Sequence, residues 1–326
     1  MSTYGLITPC IRPSERNPGS QFITDGIRWL IREIDSSARF LPVDLLAHDP
    51  DGWSLIEEQA DAIIVCGNPR FNTNPDGVYC DLGVWQSILD ASDSGIPFIE
   101  AWLGSAHPFP LVDPTEMAHA ILRVNKTHAI LSHQRRAKLR ITRDRVTQNV
   151  LQQADIRSTL LPCSTWWAAA WHNVLPRTKD KHCITLRKMP GHPWIIDLAL
   201  ELQRHWEKDR PTFIVTHSLE DHRWVAARRN VPRLLCLPDP ESLLQFYAEV
   251  DRLLSLRIHA SIPALSLGAK VCNLSMDSRS LTVDEFGVES VAFTKFQDPT
   301  FEPACTSCTV TPDLQQALDV LRRAVC

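Results

Sequence analysis

Arg257 and His259 stand two residues apart where the chain changes character. The run Leu253-Leu254-Ser255-Leu256 reads as a buried strand, and Ala260 to Leu267 reads as an alanine-rich helix that stops at Gly268. A helix that starts in this way leaves its first N–H groups without intrahelical partners, and those groups favour an anion. Arg257 adds a bidentate donor for carboxylate or phosphate. His259 adds a group that moves protons near neutral pH. Pro263 is expected near the first turn, where its missing N–H costs nothing. A plainer reading stands beside this one: an arginine at a strand end often pairs with a carboxylate, and a single histidine often only hydrogen-bonds. Spacing alone does not choose between them.

Other polar residues follow strand-like runs in the same manner. Asp61 to Gly67 reads as a strand ending in glycine, followed by Asn68-Pro69-Arg70. Leu139 to Thr142 leads into Arg143-Asp144, and Thr212 to Thr216 leads into His217-Ser218. Arg143 also belongs to a basic run with Arg135, Arg136, Arg140 and Arg145, and such runs are usually solvated faces.

The elements that must position these residues alternate. Strand-like runs occur at 96–99, 128–131, 158–161, 183–186, 234–237 and 271–274, and helical patterns at 144–153, 193–206, 240–250 and 313–324. This order predicts an α/β fold with mainly parallel sheets. The stretch Pro162 to Asp180, with Trp166, Trp167 and Trp171, separates two halves, taken as lobes 1–165 and 166–326. Two doubly wound halves leave a cleft between the carboxyl ends of their strands, and the function is expected there. Trp166, Trp167, Trp171 and Trp194 lie near this boundary and read either as core or as a platform for a sugar face.

Composition narrows the class. With 44% hydrophobic and 22% charged residues in 326, the chain is neither disordered nor low in complexity. A net charge of −4, and no basic–aromatic stripe, give no reason to expect nucleic acid as a partner. No apolar run approaches the ~20 residues of a membrane span, and the first residues lack a signal-peptide order. A cytoplasmic protein is expected, with no integral membrane segment, though a peripheral membrane contact is compatible. The ten cysteines are scattered, and only Cys305 and Cys308 form a C-x-x-C. With no second pair to complete a zinc site, they read as structural thiols. Neither a G-x-G-x-x-G nor a P-loop is present.

Taken in order, these pieces resemble the polysaccharide pyruvyl transferase family. The resemblance is carried by Arg257-Ile258-His259, the helix Ala260 to Leu267, Gly268-Ala269-Lys270 and the strand Val271 to Ser275. It is supported by Leu139 to Thr147, Thr212 to Ser218 and Asp61 to Gly67. It implies two Rossmann-like lobes of the glycosyltransferase-B kind, with the active site in the interlobe cleft. The first lobe would face the acceptor and the second the donor, with the last helix packing back on the first lobe. It implies transfer of the pyruvyl group of phosphoenolpyruvate onto sugar hydroxyls to form a ketal, in glycan or glycoconjugate biosynthesis. His259 would be the general acid, relaying the acceptor's proton. Arg257, Arg143 and Arg279 would hold the donor, and His217, Gly67 and Asn68 would contact donor or acceptor. Neither a metal nor a cofactor beyond phosphoenolpyruvate is implied. Two departures mark a divergent member: Gly67 stands where the family has a glycine cluster, and Arg279 where it often has a lysine. Two alternatives stay open. One is a nucleotide-sugar glycosyltransferase of the same fold, for which Glu241 is the residue to contact a ribose. The other is a non-catalytic sugar-binding relative.

Overall fold

The computed structural model describes residues 2–9, 18–73, 82–108, 113–298 and 300–325. The first lobe contains β1 (Thr3–Thr8), β2 (Arg39–Asp44), β3 (Ala62–Cys66), β4 (Phe71–Asn72), β5 (Phe98–Leu103), β6 (Ser105–Ala106), β7 (Leu139–Thr142) and β8 (Thr159–Leu160). Its helices are α1 (Pro18–Ile34), α2 (Pro50–Gln59), α3 (Leu82–Asp93), α4 (Pro114–Leu122), α5 (Asn125–Arg136) and α6 (Arg145–Gln153). A short helix, α7 (Ala168–Trp171), leads to the second lobe. That lobe contains β9 (Lys181–Leu186), β10 (Thr212–Thr216), β11 (Leu234–Cys236), β12 (Val250–Ser255), β13 (Lys270–Ser275) and β14 (Ser290–Ala292). Its helices are α8 (Ile195–Trp206), α9 (Leu219–Ala226), α10 (Pro240–Ala248) and α11 (Ile258–Ser266), and α12 (Leu314–Val325) closes the chain.

Each lobe is built on a parallel six-stranded sheet. β1, β3 and β5 are buried along their whole length, and β3, Ala62-Ile63-Ile64-Val65-Cys66, is accordingly a continuous apolar run without alternation. The first sheet has the order β2-β1-β3-β5-β7-β8, so the winding reverses between β1 and β3. The second has the order β11-β10-β9-β12-β13-β14, and its reversal lies between β9 and β12. In open α/β sheets a crevice forms outside the carboxyl ends of the strands at such a reversal.

One hydrophobic core joins the lobes, with Leu30 and Ile31 of α1, Ala260 and Ile262 of α11, and Leu321 of α12. α12 also meets the first lobe through Lys138, whose Nζ donates to the Ala324 carbonyl at 2.8 Å. α1 sits so close to the segment 164–167 that a Cβ at Gly26 would lie 1.8 Å from the Ser164 carbonyl oxygen. The Ser164 hydroxyl returns a hydrogen bond to the Ile23 carbonyl at 3.1 Å.

Two expectations are corrected. Residues 128–131 are not a strand but the middle of α5, with Thr127, Leu131 and Gln134 forming its buried face. A three-residue apolar run has no periodicity of its own, and the longer i, i+4, i+7 pattern decides. Pro263 lies in the second turn of α11 rather than the first, because the helix already begins at Ile258.

Candidate active site

A cavity of about 300 Å³ lies where the two reversal points face each other. Pro9 follows β1, and Gly67, Asn68 and Pro69 follow β3; Arg187 follows β9 and Arg257 follows β12. The volume is at the lower end of ligand pockets, about 300–1,000 Å³, and suits a small ligand.

Register explains the second lobe's contribution. β10 pairs with β9 with Thr216 beside Leu186, and β12 pairs with β9 with Leu254 beside Ile184. His217, Arg187 and Arg257 therefore leave three adjacent strand ends. Beyond β13 come Met276, Asp277 and Arg279, which also line the cavity. α11 starts immediately after Arg257, which is its N-cap without a side-chain capping bond. Its first turn brings His259 to the same wall.

The first lobe adds Arg143 from the end of β7. Arg143 is only 1% exposed, so it departs from the solvated face suggested by its basic neighbours. Its Nε and Nη1 are buried without a hydrogen-bond partner. Its guanidinium lies over Gly104, where a Cβ would stand 2.5 Å from Nε. His259 is packed in the same way against Gly19, where a Cβ would stand 2.5 Å from Nδ1. Both glycines make room for a side chain that lines the cavity.

The seven site residues that the family resemblance implies, Arg143, His217, Arg257, His259, Arg279, Gly67 and Asn68, line this one cavity. They are not electrostatically equal. Arg257 Nη2 donates to Asp221 Oδ2 at 2.5 Å, and Arg279 grips Asp277 through Nε at 2.8 Å and Nη2 at 2.5 Å. Their charges are largely balanced. Arg143 and Arg187 have no carboxylate partner among the described residues.

Both histidines are held neutral. The His259 imidazole lies well below its ordinary pKa because burial disfavours its charged form, and Arg143, Arg279 and Arg257 repel a proton. His217 is likewise well below, through burial and then Arg257. His217 Nε2 is 2.8 Å from the Tyr247 hydroxyl, while its Nδ1 is buried without a partner. His259 Nε2 is also buried without a partner.

Sequence reasoning missed the acids that aim these cations. Asp221 joins three loops: it accepts from Lys188 N at 2.6 Å, from Ser218 Oγ at 2.8 Å and from Arg257. The signal was present in Ser218-Leu219-Glu220-Asp221, a capping-box spacing at the start of α9. Asp144 caps α6 through Thr147 N at 2.7 Å and accepts from Ser105 N at 3.0 Å. Ser105 Oγ meets Ser278 Oγ at 3.0 Å, and Ser278 Oγ accepts from His107 N at 2.8 Å. This chain of bonds links the loop that presents Arg143 to the loop that presents Arg279 across the cleft.

Several candidates stand elsewhere. Trp166 stacks on Phe286 and Trp194 on Phe293, Trp167 is buried, and Trp171 packs beside Arg32. None of these indoles lines the cavity. Glu241 is exposed in the first turn of α10, outside it. Cys305 and Cys308 are free, and burial pushes the Cys305 thiol up to about 12. Among the described residues no group of three His, Cys, Asp or Glu side chains is arranged to hold a metal, and no helix is long and apolar enough to cross a membrane.

No curated protein matches the chain. Among solved structures, the UDP-GlcNAc 2-epimerase of Neisseria meningitidis bound to UDP-GlcNAc is 11% identical with a TM-score of 0.60, covering 100% of this chain and 99% of that one. The UDP-GlcNAc 2-epimerase of Methanocaldococcus jannaschii is 9% identical with a TM-score of 0.57, covering 99% of each chain. At such identities the likeness is one of fold, that of two Rossmann-like lobes of the glycosyltransferase-B kind. The family model described as polysaccharide pyruvyl transferase matches residues 124–278. That segment contains Arg143, His217, Arg257 and His259 and leaves out Gly67, Asn68 and Arg279. Over residues 124–278, then, this chain is similar to the polysaccharide pyruvyl transferase family, and it holds that segment in a glycosyltransferase-B-like fold.

Proposed function

We propose that the protein transfers the pyruvyl group of phosphoenolpyruvate onto two hydroxyls of a sugar, giving a cyclic ketal and inorganic phosphate, in glycan or glycoconjugate biosynthesis. The observation that carries this reading is the unbalanced positive charge of the cavity. Two guanidiniums without carboxylates stand there beside a neutral imidazole whose Nε2 has no partner. A small donor bearing a carboxylate and a phosphate supplies the missing anions.

The neutrality of His259 refines its role. A neutral imidazole is a base, so in the empty site His259 accepts a proton rather than giving one. The first acceptor hydroxyl passes its proton to His259 Nε2, and its oxygen adds to C2 of the donor in the step in which the C2=C3 π pair takes that proton at C3. The donor's negative charge offsets the arginine field and raises the affinity of His259 for that proton. His259 delivers it to C3 in that step, turning the methylene into a methyl group. The C2–O bond to phosphate breaks next, with the electron pair leaving on phosphate. The second hydroxyl closes the ketal, and its proton departs with the phosphate. Arg143 and Arg257 hold the donor throughout, with Arg279 close by. The acceptor enters from the side of Gly67 and Asn68.

Incubation with phosphoenolpyruvate and a panel of sugars tests this. The expected result is one phosphate released for each ketal found by product mass. A product extended by a sugar from a nucleotide sugar would establish the glycosyltransferase reading instead. Sugar binding with no phosphate release would establish the non-catalytic one.

A further inference from the structure

Arg187 is not among the residues that the family resemblance brought forward, yet it lines the cavity as the first residue beyond β9. Its position is the reversal point of the second sheet, between the strand ends that carry His217 and Arg257. Its Nε is buried without a partner, and its Nη2 has only the thioether of Met276, at 3.3 Å. No carboxylate among the described residues pairs with it, although Asp221 and Asp277 are close enough to be felt. Those two acids are committed to Arg257 and Arg279. Arg187, Arg257 and Arg279 come from beyond β9, β12 and β13 of the second lobe, whereas Arg143 comes from the end of β7 in the first. The cavity thus has two cationic sides, one at Arg143 in the first lobe, the other at Arg187, Arg257 and Arg279 in the second.

A half-buried guanidinium whose Nε is buried without a partner and which has no anion is costly to a protein and is kept where a ligand completes it. We infer that Arg187 is an anion-binding residue of this site and that it takes the phosphate group of the donor, at the Arg257 and Arg279 side. The inference rests on the pyruvyl transfer reading only for the donor's name; the chemistry recognised is that of any small phosphate. The carboxylate is then left to Arg143, beside the proton-carrying imidazole.

The test is calorimetric titration of the wild-type protein and of R187M with inorganic phosphate, phosphoenolpyruvate and pyruvate, with thermal melting in phosphate-free buffer alongside. Loss of a charge-assisted bond from this partly buried site should weaken phosphate and phosphoenolpyruvate by about 10- to 100-fold. Pyruvate, which has the carboxylate but no phosphate, should bind both proteins alike. R187K should recover part of the loss. Without ligand, R187M should melt no lower than the wild type, since it removes an uncompensated charge. If R187M does not fold, R187Q serves for the same comparison. Unchanged phosphate affinity, or an equal loss for pyruvate, overturns the inference. If the wild type binds inorganic phosphate through Arg187 but not phosphoenolpyruvate, the anion site stands and the donor reading falls. If it binds no phosphate compound at all, both fall.

Discussion

At the residue scale the site separates cations by what they already hold. Arg257 and Arg279 are oriented by Asp221 and Asp277, so their forks are fixed before a ligand arrives. Arg143 and Arg187 are held by packing and weak contacts and retain unused N–H groups. His259 feels Arg143, Arg279 and Arg257, and its chemistry depends on their field. H259Q keeps a polar side chain of similar reach but cannot carry the proton. We expect kcat to fall by about 10²–10⁴-fold, with little change in the donor KM. A loss confined to KM would make His259 a binding residue only. In R257K the single ammonium cannot reach both Asp221 and the donor with the guanidinium's geometry, so donor affinity should drop while the melting temperature stays close to wild type. Titration with phosphoenolpyruvate checks this, and an unchanged affinity would remove Arg257 from the anion site.

At the element scale, what could be read from the sequence was what repeats locally. β10 is rich in β-branched residues, β12 and β13 hold the short apolar pairs Leu253-Leu254 and Val271-Cys272, and the chain leaves each of these strands towards polar residues that line the cavity. The Arg257-Ile258-His259 corner is legible because a strand, a cap and a helix meet within a few residues. Arg187 was not, because one arginine after one strand looks like any surface charge until the strand order puts that strand at the reversal point. Asp221 and Asp277 were not, because their partners are brought close only by the fold, or lie in a turn with no periodicity. The role of α1 was hidden for a similar reason: it depends on glycines whose purpose is a neighbour far along the chain. Gly26 is the clearest case. In G26A the new methyl group meets a backbone carbonyl that cannot swing aside, so α1 must move off the segment 164–167. We expect a loss of about 1–3 kcal/mol in denaturant unfolding, in the range of overpacked cores. Because α1 also carries Gly19 and Ser20 at the cavity, donor binding should weaken with it. A wild-type unfolding midpoint would mean that the contact is not tight in solution.

At the scale of the whole molecule, the histidines link the site to the stability of both lobes. His107, His133, His182, His217 and His259 all lie below their ordinary value, with burial as the leading cause in each, and His133 is lowered to about 4. As pH falls through about 6.5 the unfolded chain takes up protons that the folded chain refuses. These groups therefore add stability that is complete above that pH and is lost progressively below it, down to the folded values. Asp284 acts in the opposite sense: burial raises its carboxyl to about 6, so the folded form gains a proton first and gains stability as pH falls from there. One such carboxyl does not offset five histidines. The ligand-free protein should thus melt at a constant temperature from pH 8 to 7 and several degrees lower by pH 5.5. His217 and His259 face the cationic cavity, so H217Q/H259Q should flatten that slope. Inorganic phosphate should flatten it too, because an anion among the arginines lets His259 keep its proton in the folded state. Melting curves across this range, with and without phosphate, measure all three effects together. A flat profile without ligand would mean that these imidazoles are not held neutral, and the proton relay through His259 would fall with that result.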